Sequence, residues 1–275
     1  MYIETDTELR EYIPNVFEAA MGEVPLYDKL KNYLKQSEMW LNINIADHAT
    51  FGQLLTDGKE DLVCALKRIV AIDAFYRAVP SLDLVLTPNG FGVVQNQNVA
   101  PASKDRVANL RASLLAERDM CIVQVVQALH GNETWCKSLP GRRFGELIIQ
   151  SIEVSVECNE NVPSFKFYIN NRREMLGIQR MLALNFVSME IMKRLCHSIL
   201  YCTVTDVEKE LIDMIHAYIV ESLKEENPPY ERLNDMVNYI KANAGDFSEW
   251  ETSDTALLFE DYSFKNDKKA GGFWL

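Results

Sequence analysis

The chain has 275 residues, of which 48% are hydrophobic and 25% are charged, as is typical of globular rather than disordered proteins. Its 40 acidic residues outnumber its 28 basic residues, and the resulting formal net charge of −12 argues against a general coat for nucleic acid. The scarcity of helix breakers, with 12 Gly and 9 Pro, favours a mainly helical chain, and no apolar run reaches the roughly 18 residues that cross a bilayer. The length allows about one or two domains, each with its own core.

Two helical patterns occupy the first 80 residues. Residues 25–43 place apolar side chains at steps of three and four, which predicts a helix with one buried face. Residues 60–79 carry apolar side chains nearly all round the helix, which predicts a central, buried helix.

Two short β-prone runs follow, at residues 82–86 and 91–94. The residues between them suit a tight turn, because Pro88 fixes its own φ and Asn89-Gly90 accept positive φ. The pattern predicts a protruding β-hairpin arm at about residues 82–95. Ser103 then suits the N-cap of a helix that ends near His130, and residues 1–130 are interpreted as a helical domain that carries the arm.

Residues 131–248 are interpreted as a second helical region with a less regular start. Within it, Ile152, Val154 and Val156 alternate with polar residues, which predicts a second short β element. From Arg172 the helical spacing returns and predicts one long helix as far as Ile199. Two further helices, at about 207–219 and 230–240, are expected on either side of Asn227-Pro228-Pro229.

The last stretch, residues 249–275, loses all periodicity and is interpreted as an extended C-terminal tail. It ends on the apolar residues Phe273, Trp274 and Leu275, which are a liability if they stay exposed. They are expected to dock either on the same subunit or on a neighbour or partner. The fold class predicted for the whole chain is therefore mainly α, a helical bundle with a β-hairpin arm, a second short β element and an extended tail.

The sequence offers few residues for catalysis or for a cofactor. There are four His and no GxSxG elbow, the six Cys have no CxxC spacing, and no phosphate-binding glycine motif occurs. The N-terminus is acidic and lacks the features of a secretory signal, so reduced cysteines in an intracellular protein are expected. We therefore predict no catalytic residues, no cofactor and no metal site.

Basic residues gather in two pairs. These are Arg142-Arg143 and Arg172-Arg173, and either pair is suited to a phosphate backbone or to the carboxylates of a partner protein. The sequence leaves open whether they contact DNA or protein.

One segment resembles a known group of proteins. The motif L-T-x-x-G-F-G-V at 86–93, followed by Pro101-Ala102-Ser103 and Arg106-Val107 at a helix start, is similar to an uncharacterised family encoded by tailed phages and prophages of Bacteroides-type hosts. Members are thought to be head-to-tail connector proteins, also called adaptor or head completion proteins. The resemblance extends over most of the chain, including the segment 165–195 and the aromatic tail.

The resemblance implies a non-enzymatic virion structural protein. It would form a homo-oligomeric ring between the portal and the tail, at the virion neck, after assembly in the bacterial host cytoplasm. Its partners would be further copies of itself, the portal protein and tail or neck proteins, with DNA only passing through the lumen and no membrane contact. The expected partner-binding residues are Thr87, Pro88, Asn89, Gly90, Phe91, Val93, Phe273, Trp274 and Leu275. The alternatives are a soluble helical protein-interaction module of a bacterial host, with an unknown partner, and an enzyme of unrecognised type.

Overall fold

Helices make up most of the molecule, as the composition and the spacing of apolar residues predicted. The computed structural model describes residues 2–13, 24–82, 84–87, 90–93, 103–224 and 228–259. The helices in these ranges are α1 (Asp6–Tyr12), α2 (Leu26–Asn44), α3 (His48–Thr56), α4 (Glu60–Ala78), α5 (Lys104–Leu129), α6 (Glu133–Lys137), α7 (Leu139–Gly145), α8 (Val154–Glu157), α9 (Phe165–Leu182), α10 (Met189–Leu200), α11 (Asp206–Leu223), α12 (Tyr230–Ala242) and α13 (Asp254–Leu257). None of them is both long and apolar enough to span a membrane.

The first half of the chain packs around α4. Helices α2 and α5 lie against it, and α1 and α3 complete this layer. Leu66, Ile69 and Val70 of α4 are fully buried, so the prediction of a central helix is confirmed. Helix α2 buries one face through Leu30 and Leu34, as its spacing predicted.

Both ends of α5 agree with the prediction from the sequence. The hydroxyl of Ser103 accepts a hydrogen bond from the backbone amide of Arg106 at 3.4 Å and caps the helix. The helix ends at His130, and Gly131 follows with a φ of 78°, which glycine adopts at little cost.

The strands β1 (Leu84–Thr87) and β2 (Gly90–Val93) pair with each other in an antiparallel register. Leu84 lies opposite Val93, and Thr87 lies opposite Gly90. This pairing does not by itself support a protruding arm, because the side-chain contacts of this segment lie outside what the structure describes. The arm stays a prediction.

The predicted second β element is wrong, because the segment forms the single turn of α8. The amide of Ser155 donates to the carbonyl of Ile152 at 3.3 Å, and the amide of Val156 donates to that of Glu153 at 2.8 Å. The side chains do not alternate between two faces, since Ile152 and Val154 are buried but Val156 is exposed. An alternation of five residues was too short to distinguish a strand from a helical turn.

The single long helix predicted from Arg172 to Ile199 is also wrong. The helix α9 begins earlier, after the cap Ser164, and a π-helical turn at Ala183–Val187 separates it from α10. Ser188 follows with a φ of 84°, and its hydroxyl caps α10 by accepting from the amide of Ile191 at 3.2 Å. Both helices bury their apolar residues in the same core, so the periodic pattern continues across the break.

Helices α11 and α12 confirm the last two helical predictions, but the start of the predicted tail is not extended. Trp250 is buried, and α13 packs on the π-turn. The hydroxyl of Thr255 lies 3.3 Å from the carbonyl oxygens of Ala183 and Leu184, to which it donates. Residues 249–259 therefore belong to the packed structure.

A buried network of charges joins four helices of the two halves. Arg118 of α5 contacts a carboxylate oxygen of Asp73 of α4 and one of Asp119, each at 2.7 Å. Asp73 also accepts from the hydroxyl of Ser37 of α2 at 2.7 Å, and Asp119 accepts from the backbone amide of Phe165 of α9 at 2.9 Å. These polar groups are paired in the interior, where an unpaired charge is expensive.

Candidate interaction surfaces

Few of the predicted partner-binding residues can be located in the structure. The residues that lie in the paired strands are Thr87, Gly90, Phe91 and Val93. Those that lie outside the described residues are Pro88, Asn89, Phe273, Trp274 and Leu275. Of these residues, the structure pairs Thr87 with Gly90 across the two strands and describes no contact between the arm and the tail.

The structure does bring the two arginine pairs together. Arg172 of α9 donates to the backbone carbonyl of Arg143 of α7 at 2.9 Å and forms an ion pair with Glu146. Arg143 in turn donates to the carbonyl of Ile43, at the end of α2, at 3.4 Å. Helices α2, α7 and α9 thus meet at a single basic site.

These three helices enclose a groove of about 440 Å³. Its floor is aromatic, with the rings of Phe144 and Tyr168 stacked at 5.5 Å between centroids. Two aliphatic side chains on its rim, Leu139 and Ile169, are each about half exposed. We call this surface the arginine groove, and define it by Leu139, Arg143, Phe144, Tyr168, Ile169 and Arg172.

The remaining two arginines extend the positive charge of the groove. Arg142 lies three residues after Leu139, and Arg173 lies four residues after Ile169, spacings that place neighbours on one side of a helix. Both side chains are exposed, and neither makes an ion pair within the described ranges. They are available to the carboxylates or phosphates of a partner.

A second apolar surface lies beside the π-turn. Its four large side chains are between 49% and 63% exposed; they are Leu184, Tyr230, Leu257 and Leu258. Thr255 holds α13 on the π-turn through its bonds to the carbonyls of residues 183 and 184. The ring of Phe186 contacts that of Tyr230 at 6.2 Å between centroids. The segments that carry these four side chains therefore meet at the π-turn.

The segment 249–259 gives this second surface an acidic part, while Lys241 of α12 contacts the ring and the carbonyl of Phe259 at its edge. Residues 249–259 contain three acidic residues and no basic residue. Glu249 pairs with Arg194 at 3.0 Å, while Glu251 and Asp254 are exposed. We call this surface the acidic patch, and define it by Leu184, Tyr230, Glu251, Asp254, Leu257 and Leu258.

Residues 17–145 match a family of unknown function (DUF6712). The matched range runs through α2 to α7 and contributes Leu139, Arg143 and Phe144 to the arginine groove. Helix α9 and the acidic patch lie beyond it. No curated protein and no solved structure matches the chain.

The two surfaces lie at opposite ends of α9. Ile169 is in the first turns of this helix, and Leu184 is in the π-turn that follows its last residue. At 1.5 Å per residue, about 22 Å of helix separates them. One molecule therefore presents two apolar surfaces, one flanked by exposed arginines and one by exposed carboxylates, that are too far apart to contact each other through these residues.

Sequence reasoning identified the four arginines but missed the acidic patch. The signal available was the doublet Leu257-Leu258, which follows the acidic residues Glu251 and Asp254 in a segment without periodicity. Within the described ranges, no group of three or more potential ligands is placed to hold a metal ion.

Proposed function

We propose that the protein is a head-to-tail connector, a non-enzymatic virion structural protein that forms a ring between the portal and the tail. It would act at the virion neck after assembly in the cytoplasm of the bacterial host. The observation that carries the proposal is the pair of complementary surfaces, the arginine groove and the acidic patch, at opposite ends of α9.

A ring requires two different surfaces on each subunit, because each copy contacts the next through a heterologous interface. The arginine groove offers a concave apolar floor with a basic rim. The acidic patch offers protruding leucines, Leu257 and Leu258, with carboxylates beside them. Docking the patch of one copy into the groove of the next would bury apolar area on both and pair opposite charges, which fixes the register of the contact.

Further contacts are assigned to the segments that the resemblance singled out. The outer edge of β1 or β2 can add a strand to a neighbour. The tail residues Phe273, Trp274 and Leu275 are expected to dock on a neighbouring copy, on the portal or on another neck protein. A net charge of −12 per subunit repels DNA, so DNA would pass through the lumen without being held.

A charge exchange tests the proposed ring contact. We expect the double variant Arg142→Glu/Arg173→Glu to lose self-association, and the double variant Glu251→Lys/Asp254→Lys to lose it as well. Combining all four changes should restore it, because the charges are then exchanged across the interface. Lys209→Glu, an exposed change on α11, is the matched control and should assemble as the unchanged protein does.

The measurement is the mass of each variant by light scattering, alone and mixed with the portal complex of the same phage. A ring that forms spontaneously or on the portal, and that weakens with salt, supports the proposal. A protein that stays monomeric or dimeric and does not bind the portal would instead support the alternative, an interaction module of a bacterial host. Rings that are unaffected by the charge reversals, or not restored by the exchange, would contradict the assignment of these two surfaces.

A further inference from the structure

A cavity of about 360 Å³ lies between α5, α10, α11 and the segment 148–153, away from both interaction surfaces. Its volume is in the range of small-molecule sites. The walls are aliphatic, and the side chains that form them are Ile122, Val123, Val126, Ile148, Ile149, Ile152, Ile199 and Ile212. The interior therefore suits the apolar part of a ligand.

The polar side chains deep in the cavity are already engaged. The ring nitrogens of His130 lie 2.8 Å from the carbonyl oxygen of Val126 and 3.0 Å from the amide oxygen of Gln150. The amide nitrogen of Gln150 donates to the carbonyls of Leu147 and Cys196, at 3.0 and 2.8 Å. These groups join the walls of the cavity to one another. The polar groups that can bind a ligand are therefore those at the opening.

The opening carries negative charge. Glu153 and Glu157 line it and are exposed, whereas no Lys or Arg among the described residues lines the cavity. His216 stands beside Glu157, with 3.3 Å between its Nε2 and the nearest carboxylate oxygen. That nitrogen is buried and has no aligned hydrogen bond. Glu153 accepts from the hydroxyl of Ser151 at 3.1 Å, and since a carboxylate has about four acceptor sites, both glutamates can still accept from a positively charged donor.

We propose that this cavity binds a small organic cation, an amine carried on an aromatic or aliphatic body. The body would lie among Val126, Ile149 and Ile212, and the ammonium group would lie at the opening between Glu153 and Glu157. The site is independent of the connector function and of the surfaces assigned to it.

Three ligands of nearly equal shape test the charge preference: phenethylamine, 2-phenylethanol and phenylacetate. Isothermal titration of the full chain should give binding in the order amine, alcohol, acid, with the acid bound least. We expect Glu157→Gln to weaken binding of the amine by up to roughly fivefold and to leave binding of the alcohol unchanged, as the loss of one exposed carboxylate predicts. Glu160→Gln, an exposed change three residues away that does not line this cavity, should alter neither.

A second readout locates the bound ligand. Cys202 lines the cavity and is exposed, while Cys64 is exposed on α4, outside it. Phenethylamine should slow the alkylation of Cys202, measured by peptide mass spectrometry, and leave that of Cys64 unchanged. Equal binding of the amine and the acid, unaltered affinity in Glu157→Gln, or alkylation of Cys202 at the same rate with and without the amine would each overturn the proposal.

Discussion

Replacing Arg118 should be among the most damaging single changes in the chain. Its guanidinium contacts carboxylate oxygens of both Asp73 and Asp119 at 2.7 Å, and all three side chains are at least nine-tenths buried. In Arg118→Met, Asp119 keeps no cationic partner among the described residues, and there Asp73 keeps only the half-buried Arg77 at 2.6 Å. Leaving a buried charge without its partner costs about 3–5 kcal/mol of stability.

The assay is urea unfolding followed by circular dichroism and by tryptophan fluorescence. The matched control is Arg68→Met, which removes an ion pair with Glu117 whose two side chains are 51% and 32% exposed. That loss should be at most about 1 kcal/mol. The triple variant Asp73→Asn/Arg118→Met/Asp119→Asn should recover most of the stability, since no buried charge is then left unpaired. An Arg118→Met protein as stable as Arg68→Met would refute the reasoning.

Three further outcomes follow from single sites. Burial raises the pKa of Asp119 in spite of its guanidinium partner, so the folded protein holds this proton more tightly than the unfolded chain does. Above about pH 4, the ordinary carboxyl value, the stability of the unchanged protein should therefore fall with rising pH relative to Asp119→Asn. Denaturant midpoints of both proteins at several pH values measure this difference. Gly141→Ala should prevent stable folding, because its Cβ would lie 1.9 Å from a backbone carbonyl oxygen, whereas Gly52→Ala, with nothing within 4 Å, should stabilise the protein by about 0.5–1 kcal/mol; thermal melting separates the two. Burial also raises the pKa of the Cys196 thiol to about 12, so iodoacetamide at pH 8 should modify the exposed Cys202 but not Cys196. Mass spectrometry of the peptides measures both reactions, and modification of Cys196 as fast as that of Cys202 would contradict this prediction.

Elements fixed by local signals were predicted well. Ser103 caps α5 through an amide three residues away, and Gly131 ends the same helix through its own backbone conformation. Helix α4 was identified as central because its apolar residues occur nearly all round its circumference. A helix with this pattern is buried on all sides.

Features that depend on distant parts of the chain were not predicted. The break between α9 and α10 is fixed partly by Thr255, whose hydroxyl bonds to the π-turn from about 70 residues away. The arginine groove needs α7 and α9 to meet, and nothing near Arg143 in sequence shows that Arg172 donates to its carbonyl. The sequence identified the charged residues of the groove, but their convergence is a property of the tertiary structure.

The π-turn also determines how far apart and at what angle the arginine groove and the acidic patch are held. One surface lies along the first turns of α9, and the other is fastened to the backbone of residues 183 and 184 just beyond its end. In an assembly built on the proposed contact, α9 and the π-turn at its end would set the rotation from one copy to the next. The removal of one residue from Ala183–Val187 would change the direction in which the chain leaves α9, and with it the position of everything after the turn. The number of copies that close a circle would then depend on the five residues of the π-turn, of which Leu184 also belongs to the acidic patch.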